Sequence, residues 1–245
     1  MELYEAVFKR KSMRKFDEKL EISEEEMNLI QSKLKSLKKL IPETEVEFVI
    51  KPRRETNCRI NAEYCILAYT QDKPLWKENV GYMLEQLDLY LATVNIGSCW
   101  YGLGKTKEQE LNGKLYAIMF CFGKSTSNDF RKDENEFDRK KVEDIWQGFK
   151  NDNIANAVRL APSACNSQPW KVKSDGKEIS VYKRQKTDNV LTRALSKYFN
   201  GFDMGIFLYI LELALDKHGY LYERQLFDNE ETELTLLAKY AVLNP

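Results

Sequence analysis

Three short segments hold the residues whose types and spacing could do chemistry. Lys9-Arg10-Lys11-Ser12-Met13-Arg14-Lys15 sets five cations and a hydroxyl within seven residues. Arginine grips an oxyanion with two parallel donors, lysine adds a point charge and serine a short donor, so the run suits a phosphate. Read alone, it is more simply a solvated basic face. Leu160-Ala161-Pro162-Ser163-Ala164-Cys165-Asn166-Ser167-Gln168-Pro169-Trp170 combines two prolines, small residues and two amides with one large aromatic. Proline fixes φ, and small side chains let backbone approach a flat ring. Asn166 and Gln168 each offer a donor and an acceptor, which matches the alternating edge of a pyrimidine-type ring. The other reading is a plain helix-to-strand loop with Trp170 in the core. In Asn95-Ile96-Gly97-Ser98-Cys99-Trp100-Tyr101-Gly102-Leu103-Gly104, Gly97 is placed for a helix C′ position, and Gly102 and Gly104 permit unusual dihedrals. Trp100 with Tyr101 could wall a planar ligand. A capped helix feeding a buried aromatic strand is the plainer reading of that segment.

The rest of the composition narrows the chemistry. The only histidine is His218, so a His-centred triad or a His-rich metal site is not expected, and a bound cofactor is expected to carry any reaction. The five cysteines, Cys58, Cys65, Cys99, Cys121 and Cys165, show no CxxC spacing and read as reduced, buried thiols without disulfide or zinc. Lys+Arg and Asp+Glu both number 38, which argues against nucleic acid as a partner. No run approaches the roughly 18 consecutive apolar residues needed to span a bilayer, and the first residues lack a basic stretch and apolar core. A soluble, cytoplasmic protein without a membrane partner is expected.

These segments must be positioned by helices and strands, and the pattern of elements is written twice. Met27, Ile30, Leu34, Leu37 and Leu40 recur at helical spacing, with Ser23 as N-cap and Glu26 three positions on, which predicts a helix over 24–40. Strands are predicted over 46–51 and 63–70, a helix over 81–95 and an apolar strand over 115–122. The second half repeats the order: helix 152–160, strands 170–173 and 178–183, helix 197–217 ending at His218-Gly219, and strand 234–243. Pro42 and Pro162 are separated by 120 residues, while Phe48 and Trp170, Gly97 and Gly219, and Ile118 and Tyr240 are each separated by 122. This near-constant offset predicts a duplicated α+β unit. The first half-unit is placed at 1–124, a polar, charged surface connector at 125–141 and the second half-unit at 142–245.

Taken together, the segments resemble the nitroreductase-like family of FMN-dependent oxidoreductases. Arg10-Lys11-Ser12-Met13-Arg14 is similar to the family's Arg-x-Ser-x-Arg-like cluster, and Ala161 to Trp170 matches its Ala-Pro-Ser-x-x-Asn-x-Gln-Pro-Trp signature at every fixed position. Gly97 to Gly102 matches a Gly-x-Gly-Ser-Cys-Trp-x-Gly segment with Asn95 in place of the first glycine, and Arg139-Lys140-Lys141-Val142-Glu143 is similar to a basic patch that carries a proline in the family. The resemblance implies a nitroreductase-like FMN-binding fold: α+β, with central mixed or antiparallel sheets flanked by helices. It departs in one respect. Ordinary members carry the basic cluster and the Pro-Ser-Asn loop a few dozen residues apart, and dimerise so that each flavin lies between subunits. Here about 150 residues separate the two. Ile41-Pro42 is followed by Glu43-Thr44-Glu45 where the first half would carry the loop, and Asp133-Glu134-Asn135-Glu136 stands where the second half would carry the cluster. The implied protein is a single-chain pseudo-dimer, monomeric or weakly homodimeric, with one competent FMN site and one vestigial site.

Carried over residue by residue, the resemblance implies that Arg10, Ser12 and Arg139 hold the FMN phosphate, with Lys11 and Arg14 near the phosphate, ribityl or pyrimidine end. Pro162, Ser163, Ala164 and Asn166 would line one side of the isoalloxazine. Trp100, Tyr101, Gly102 and Leu103 would pass the other side and offer a backbone N–H to N5. Gln168, Lys124 and Phe199 are candidates for the substrate face. Hydride from NADH or NADPH would pass through N5 to a small nitroaromatic, quinone or similar acceptor in a ping-pong sequence, with no protein residue as general base and no metal. The alternative is a protein that stores or senses flavin with little turnover.

Overall fold

The structure is a computed structural model that describes residues 1–185 and 190–244, with side chains at all of these except 190–197. The chain divides into two compact units, Met1–Glu136 and Phe137–Pro245. Each is α+β and built on one sheet.

Unit 1 runs α1 (Leu3–Val7), α2 (Glu24–Lys35), β1 (Val46–Pro52), β2 (Tyr64–Thr70), α3 (Trp76–Thr93), β3 (Ile96–Tyr101), β4 (Glu110–Leu111) and β5 (Lys114–Lys124). The strand order is β1-β2-β5-β3, all antiparallel, with β4 pairing on β5. The inner strands β2 and β5 are the continuous apolar runs, as burial on both faces requires. Ser23 caps α2 in a capping box with Glu26, but the helix stops at Lys35, five residues short of the predicted end. The reason lies in α3: Asn79 Oδ1 accepts the Leu40 and Ile41 N–H groups, and Gln86 both accepts from Lys38 N–H and donates to its carbonyl. Buried amides satisfy the backbone outside the helix, and Leu37 and Leu40 still reach the core.

Three further expectations are corrected. Helix α3 starts at Trp76, not Gly81, and the left-handed residue after its end is Asn95, at φ 57°, rather than Gly97. Asparagine tolerates that region better than other residues with a Cβ. Gly97 lies inside β3 instead, where a Cβ would stand 2.2 Å from Met13 Sδ. Four cysteines are buried and Cys165 is exposed, so the expectation of five buried thiols fails at Cys165. Cys65, Cys121 and Cys99 face one another across β2, β5 and β3, and Cys58 joins them in one core cluster. A hydrogen bond with Cys58 and burial hold the Cys65 thiol well above its ordinary range.

Unit 2 runs α4 (Val142–Ile145), β6 (Trp146–Gly148), α5 (Asp152–Arg159), β7 (Trp170–Ser174), β8 (Glu178–Arg184), α6 (Val190–Lys217), β9 (Tyr222–Leu226) and β10 (Leu234–Val242). The order is β6-β7-β8-β10-β9, with β6 parallel to β7 and the other pairs antiparallel. In both units a long helix separates the second strand of the antiparallel path from the third. In both, the last strand in sequence lies inside the sheet and the strand that follows the long helix, β3 or β9, ends the path. The aromatic strand that was the plainer reading of the Asn95–Gly104 segment is β3, whereas the edge strand β9 was not predicted. Tyr222-Glu223-Arg224-Gln225-Leu226 alternates half-buried and exposed residues and has no apolar run, so only its pairing to β10 reveals it. Gly219 follows α6 at φ 75°, as a C′ glycine should. Tyr198–Lys217 is apolar and long enough to cross a bilayer, but 83% of that window is buried inside the fold. It is the core helix of its unit: the fully buried Trp170 stacks on its Phe207 at 5.0 Å.

Candidate functional site

Unit 1 brings two of the sequence segments together. After α1 the chain passes along the free edge of β3, where Met13 N–H donates to the Ser98 carbonyl at 2.8 Å and Ser12 pairs with Ser98 in a parallel bridge. The buried Met13 side chain fills the space left by Gly97. Below this edge lies Asp88 of α3, fully buried. Its Oδ2 stands 3.2 Å from Arg10 Nε and accepts from Trp100 Nε1 at 3.3 Å, while its Oδ1 accepts from the Ser98 hydroxyl. Arg10 Nη2 donates to Ser12 Oγ at 3.3 Å. One carboxylate therefore gathers the start of the basic run and two residues of β3.

This arrangement revises the expected phosphate ligands. The Arg10 side chain is 2% exposed and its charge is compensated by Asp88, so it serves as the anchor of the turn. Lys11 is half-buried and Arg14 exposed, and neither makes a hydrogen bond or ion pair among the described residues. They flank the Ser12 hydroxyl, and Lys11 lies near enough to Asp129 and Glu136 for its charge to lower both carboxyl pKa values. Arg131, which the sequence reading missed, donates its N–H to the Lys9 carbonyl at 2.9 Å and its Nη1 to the Arg10 carbonyl. Burial, and then the Arg10 charge, push its pKa down to about 10. Its only sequence signal was a place beside Lys132, ahead of the acidic Asp133-Glu134-Asn135-Glu136.

Trp100 and Tyr101 are half-buried at the end of β3, with Trp100 edge-on to Phe120 at 5.5 Å and the Tyr101 hydroxyl accepting from Arg59 N–H at 3.4 Å. Gly102 and Leu103 are exposed, Leu103 by 69%. Neither Gly102 nor Gly104 has a positive φ. Gly104 is required by packing instead, since a Cβ would fall 2.4 Å from Met119 Cβ. Lys124, offered for the substrate face, is paired with Glu26 and is removed from that role.

Unit 2 brings together the other two segments. Between α5 and β7 the chain makes a tight turn in which Cys165, Asn166 and Gln168 have φ of 52°, 55° and 49°. Such left-handed conformations are costly for residues with a Cβ and persist only where surrounding bonds impose them. Those bonds are present. Ser163 Oγ accepts Gln168 N–H at 2.9 Å, and the Ser163 carbonyl accepts Asn166 N–H. Arg139 donates to the Ala161 carbonyl at 3.1 Å and the Leu160 carbonyl at 3.4 Å, and through Nη1 to Asn166 Oδ1 at 2.8 Å. Asn166 Nδ2 donates to the Asp138 carbonyl, Gln168 Oε1 accepts Lys140 N–H, and Lys140 Nζ reaches the Ser167 and Gln168 carbonyls.

The two amides and Arg139 thus hold the loop to the 138–140 segment with their own hydrogen bonds. Pro162 is buried, Ser163 and Ala164 are half-buried, and the exposed tip is Cys165. Phe199 is half-buried against Tyr198 and Phe202. From α6, Asp203 accepts Ala164 N–H at 2.9 Å and the Ser167 hydroxyl at 3.3 Å. Sequence reasoning missed Asp203, although it is the one acid in the apolar stretch Gly201 to Leu211.

The fold has a counterpart among solved structures. The chain is similar, with a TM-score of 0.63 and 20% identity, to the crystal structure of a "putative nitroreductase" from Thermotoga maritima MSB8, over 100% of this chain and 95% of that one. Smaller similarities cover part of this chain: 58%, against 95% of the other, for a "Putative NADH dehydrogenase/NAD(P)H nitroreductase" from Parabacteroides distasonis (13% identity, TM-score 0.45). An "FMN-dependent Nitroreductase" from Clostridium difficile R20291 covers 54%, against 93% of its own chain (17% identity, TM-score 0.42). No curated protein matches. The match that decides membership is to sequence: residues 2–215 fit the family described as "Putative TM nitroreductase", and the chain belongs to that nitroreductase family.

Proposed function

We propose that the chain binds one FMN and works as a cytoplasmic oxidoreductase, moving hydride from NADH or NADPH to a small nitroaromatic, quinone or similar acceptor. Membership of a nitroreductase family supports the reaction class. The observation that carries the cofactor assignment is the Asp88 lock: it neutralises Arg10, fixes the turn against β3 and leaves Lys11 and Arg14 without a hydrogen bond or ion pair among the described residues, beside the Ser12 hydroxyl. A fixed backbone presenting cations whose donors are not engaged in hydrogen bonds fits a phosphate. On this reading Lys11, Ser12 and Arg14 hold the anionic end, and Trp100, Tyr101, Gly102 and Leu103 provide one wall. Pro162, Ser163 and Ala164 provide the other. Arg139, Asn166 and Gln168 act behind that wall by fixing its backbone. The bound flavin would supply hydride acceptance and donation, and the protein would position it and exclude bulk water.

We further propose that the units descend from a duplication, a reading supported by their matching strand order. On that reading each unit kept one side of the site, so one FMN is held per chain and the second site is vestigial. The chain would act as a pseudo-dimer and recognise small molecules, not nucleic acid or membrane.

The test is anaerobic mixing of the flavin-loaded protein with NADH and, separately, NADPH. Loss of the oxidised flavin absorbance with at least one donor, and its return on adding a nitroaromatic or quinone, is the expected result. A bound flavin that neither donor bleaches would contradict the enzyme reading and favour storage.

A further inference from the structure

Asp203 occupies an unusual place for a carboxylic acid. It lies in the apolar core helix α6, is 3% exposed, and has two partners, both from the strained loop: the Ala164 N–H and the Ser167 hydroxyl. No ion pair reaches it, and no charged group of α5, of the loop or of α6 bears on its ionisation among the described residues. An acid buried without a cation favours its neutral form, because ionisation forfeits hydration that nothing nearby replaces. The geometry admits a neutral acid: Oδ1 accepts the Ala164 N–H at 2.9 Å, and the Ser167 hydroxyl, which donates to Oδ2 at 3.3 Å, can turn to accept a proton carried there.

We infer that Asp203 is a positioning residue whose protonated side chain clamps the 163–168 loop, so that the loop opens more readily as pH rises towards neutrality. Its functional consequence rests on the reading of this loop as one wall of the flavin site.

The direction follows from the two environments. Burial raises the Asp203 pKa from 3.8 to about 7 while the loop is closed, and opening the loop to water returns it towards the ordinary range. The closed state therefore binds the proton more tightly than the open one. The stabilisation is complete below about pH 4 and is lost as pH rises through about 7. Above that, both states are ionised and the effect levels off.

The test is hydrogen exchange of the peptide amides between Pro162 and Pro169, in the full-length protein without added flavin and corrected for the intrinsic pH dependence of exchange. The wild type is expected to lose roughly 10- to 50-fold in protection between pH 5 and pH 7. Asp203→Asn, which mimics the neutral acid in shape and hydrogen bonding, should stay protected across the range. Ser167→Ala, which removes one bond without burying a charge, should lower protection while keeping the pH dependence. If wild type and Asp203→Asn show the same dependence, the inference fails. Flavin release provides an independent readout: it should be faster at pH 7.5 than at pH 5 in wild type and nearly pH-independent in Asp203→Asn. The FMN phosphate titrates in both, so only their difference counts. A protein that binds no FMN would overturn the flavin reading while leaving the exchange result to judge Asp203.

Discussion

Replacing Asp88 with alanine is expected to lower the stability of the protein by about 3–5 kcal/mol and to eliminate flavin retention. The energy comes from stranding a charge. Arg10 is 2% exposed and Asp88 fully buried, so removing the carboxylate leaves a guanidinium without compensation in a dry site. The Ser98 hydroxyl and Trp100 Nε1 lose their acceptor at the same time. The loss of flavin has a separate origin: without the anchor, the turn carrying Lys11, Ser12 and Arg14 is released from β3. Denaturant unfolding and FMN titration read the two effects separately. The double variant Arg10→Met/Asp88→Leu should recover much of the stability, because the buried charge is then gone, yet should still bind FMN poorly. Wild-type stability in Asp88→Ala would contradict the account.

The second large effect is expected at Arg139. Its guanidinium bonds the Ala161 and Leu160 carbonyls and Asn166 Oδ1, holding a turn with three left-handed residues in four positions. Arg139→Ala should destabilise the loop by about 2–4 kcal/mol, the value of several hydrogen bonds to a charged donor less the compensation that water offers a half-exposed site. Because the loop borders the core only locally, most of that loss should appear as increased exchange and proteolysis between Leu160 and Trp170 rather than as a shift in global unfolding. Flavin affinity should fall by at least about tenfold. Arg139→Lys should rescue little, since an ammonium cannot hold three acceptors in one plane. An Arg139→Ala protein with unchanged loop protection would refute the clamp.

The two residues most important to this account differ in how far the sequence revealed them. Arg139 was legible as part of a basic patch, but its apparent role was to meet a phosphate. Its actual partners, main-chain carbonyls 21 and 22 residues away, are set by tertiary contact. Asp88 was not legible at all. It sits in a helix whose periodicity marks apolar positions, and the same burial covers Glu78, Asn79, Glu85 and Gln86, so polarity there does not signal exposure. The inner strands β2 and β5 were read correctly because continuous apolar runs announce them. Edge strand β9 was missed because its alternating polar residues leave no such run. Asn166 and Gln168 looked like ligands for a ring because both carry a donor and an acceptor. The structure engages those same groups with Arg139, Asp138 and Lys140. The residue types were right for hydrogen bonding, but their partners could be found only in the fold.

The proposed function assigns both the cationic turn and the clamped loop to flavin binding. Titration of the flavin-free protein with FMN, followed by fluorescence quenching, tests it most directly. The account expects one FMN per chain, with affinity lowered by roughly 1.5–3 kcal/mol in Arg14→Ala and lowered also by loop substitutions such as Asn166→Ala. Two FMN per chain, none at all, or binding that responds to only one of the two segments would contradict it.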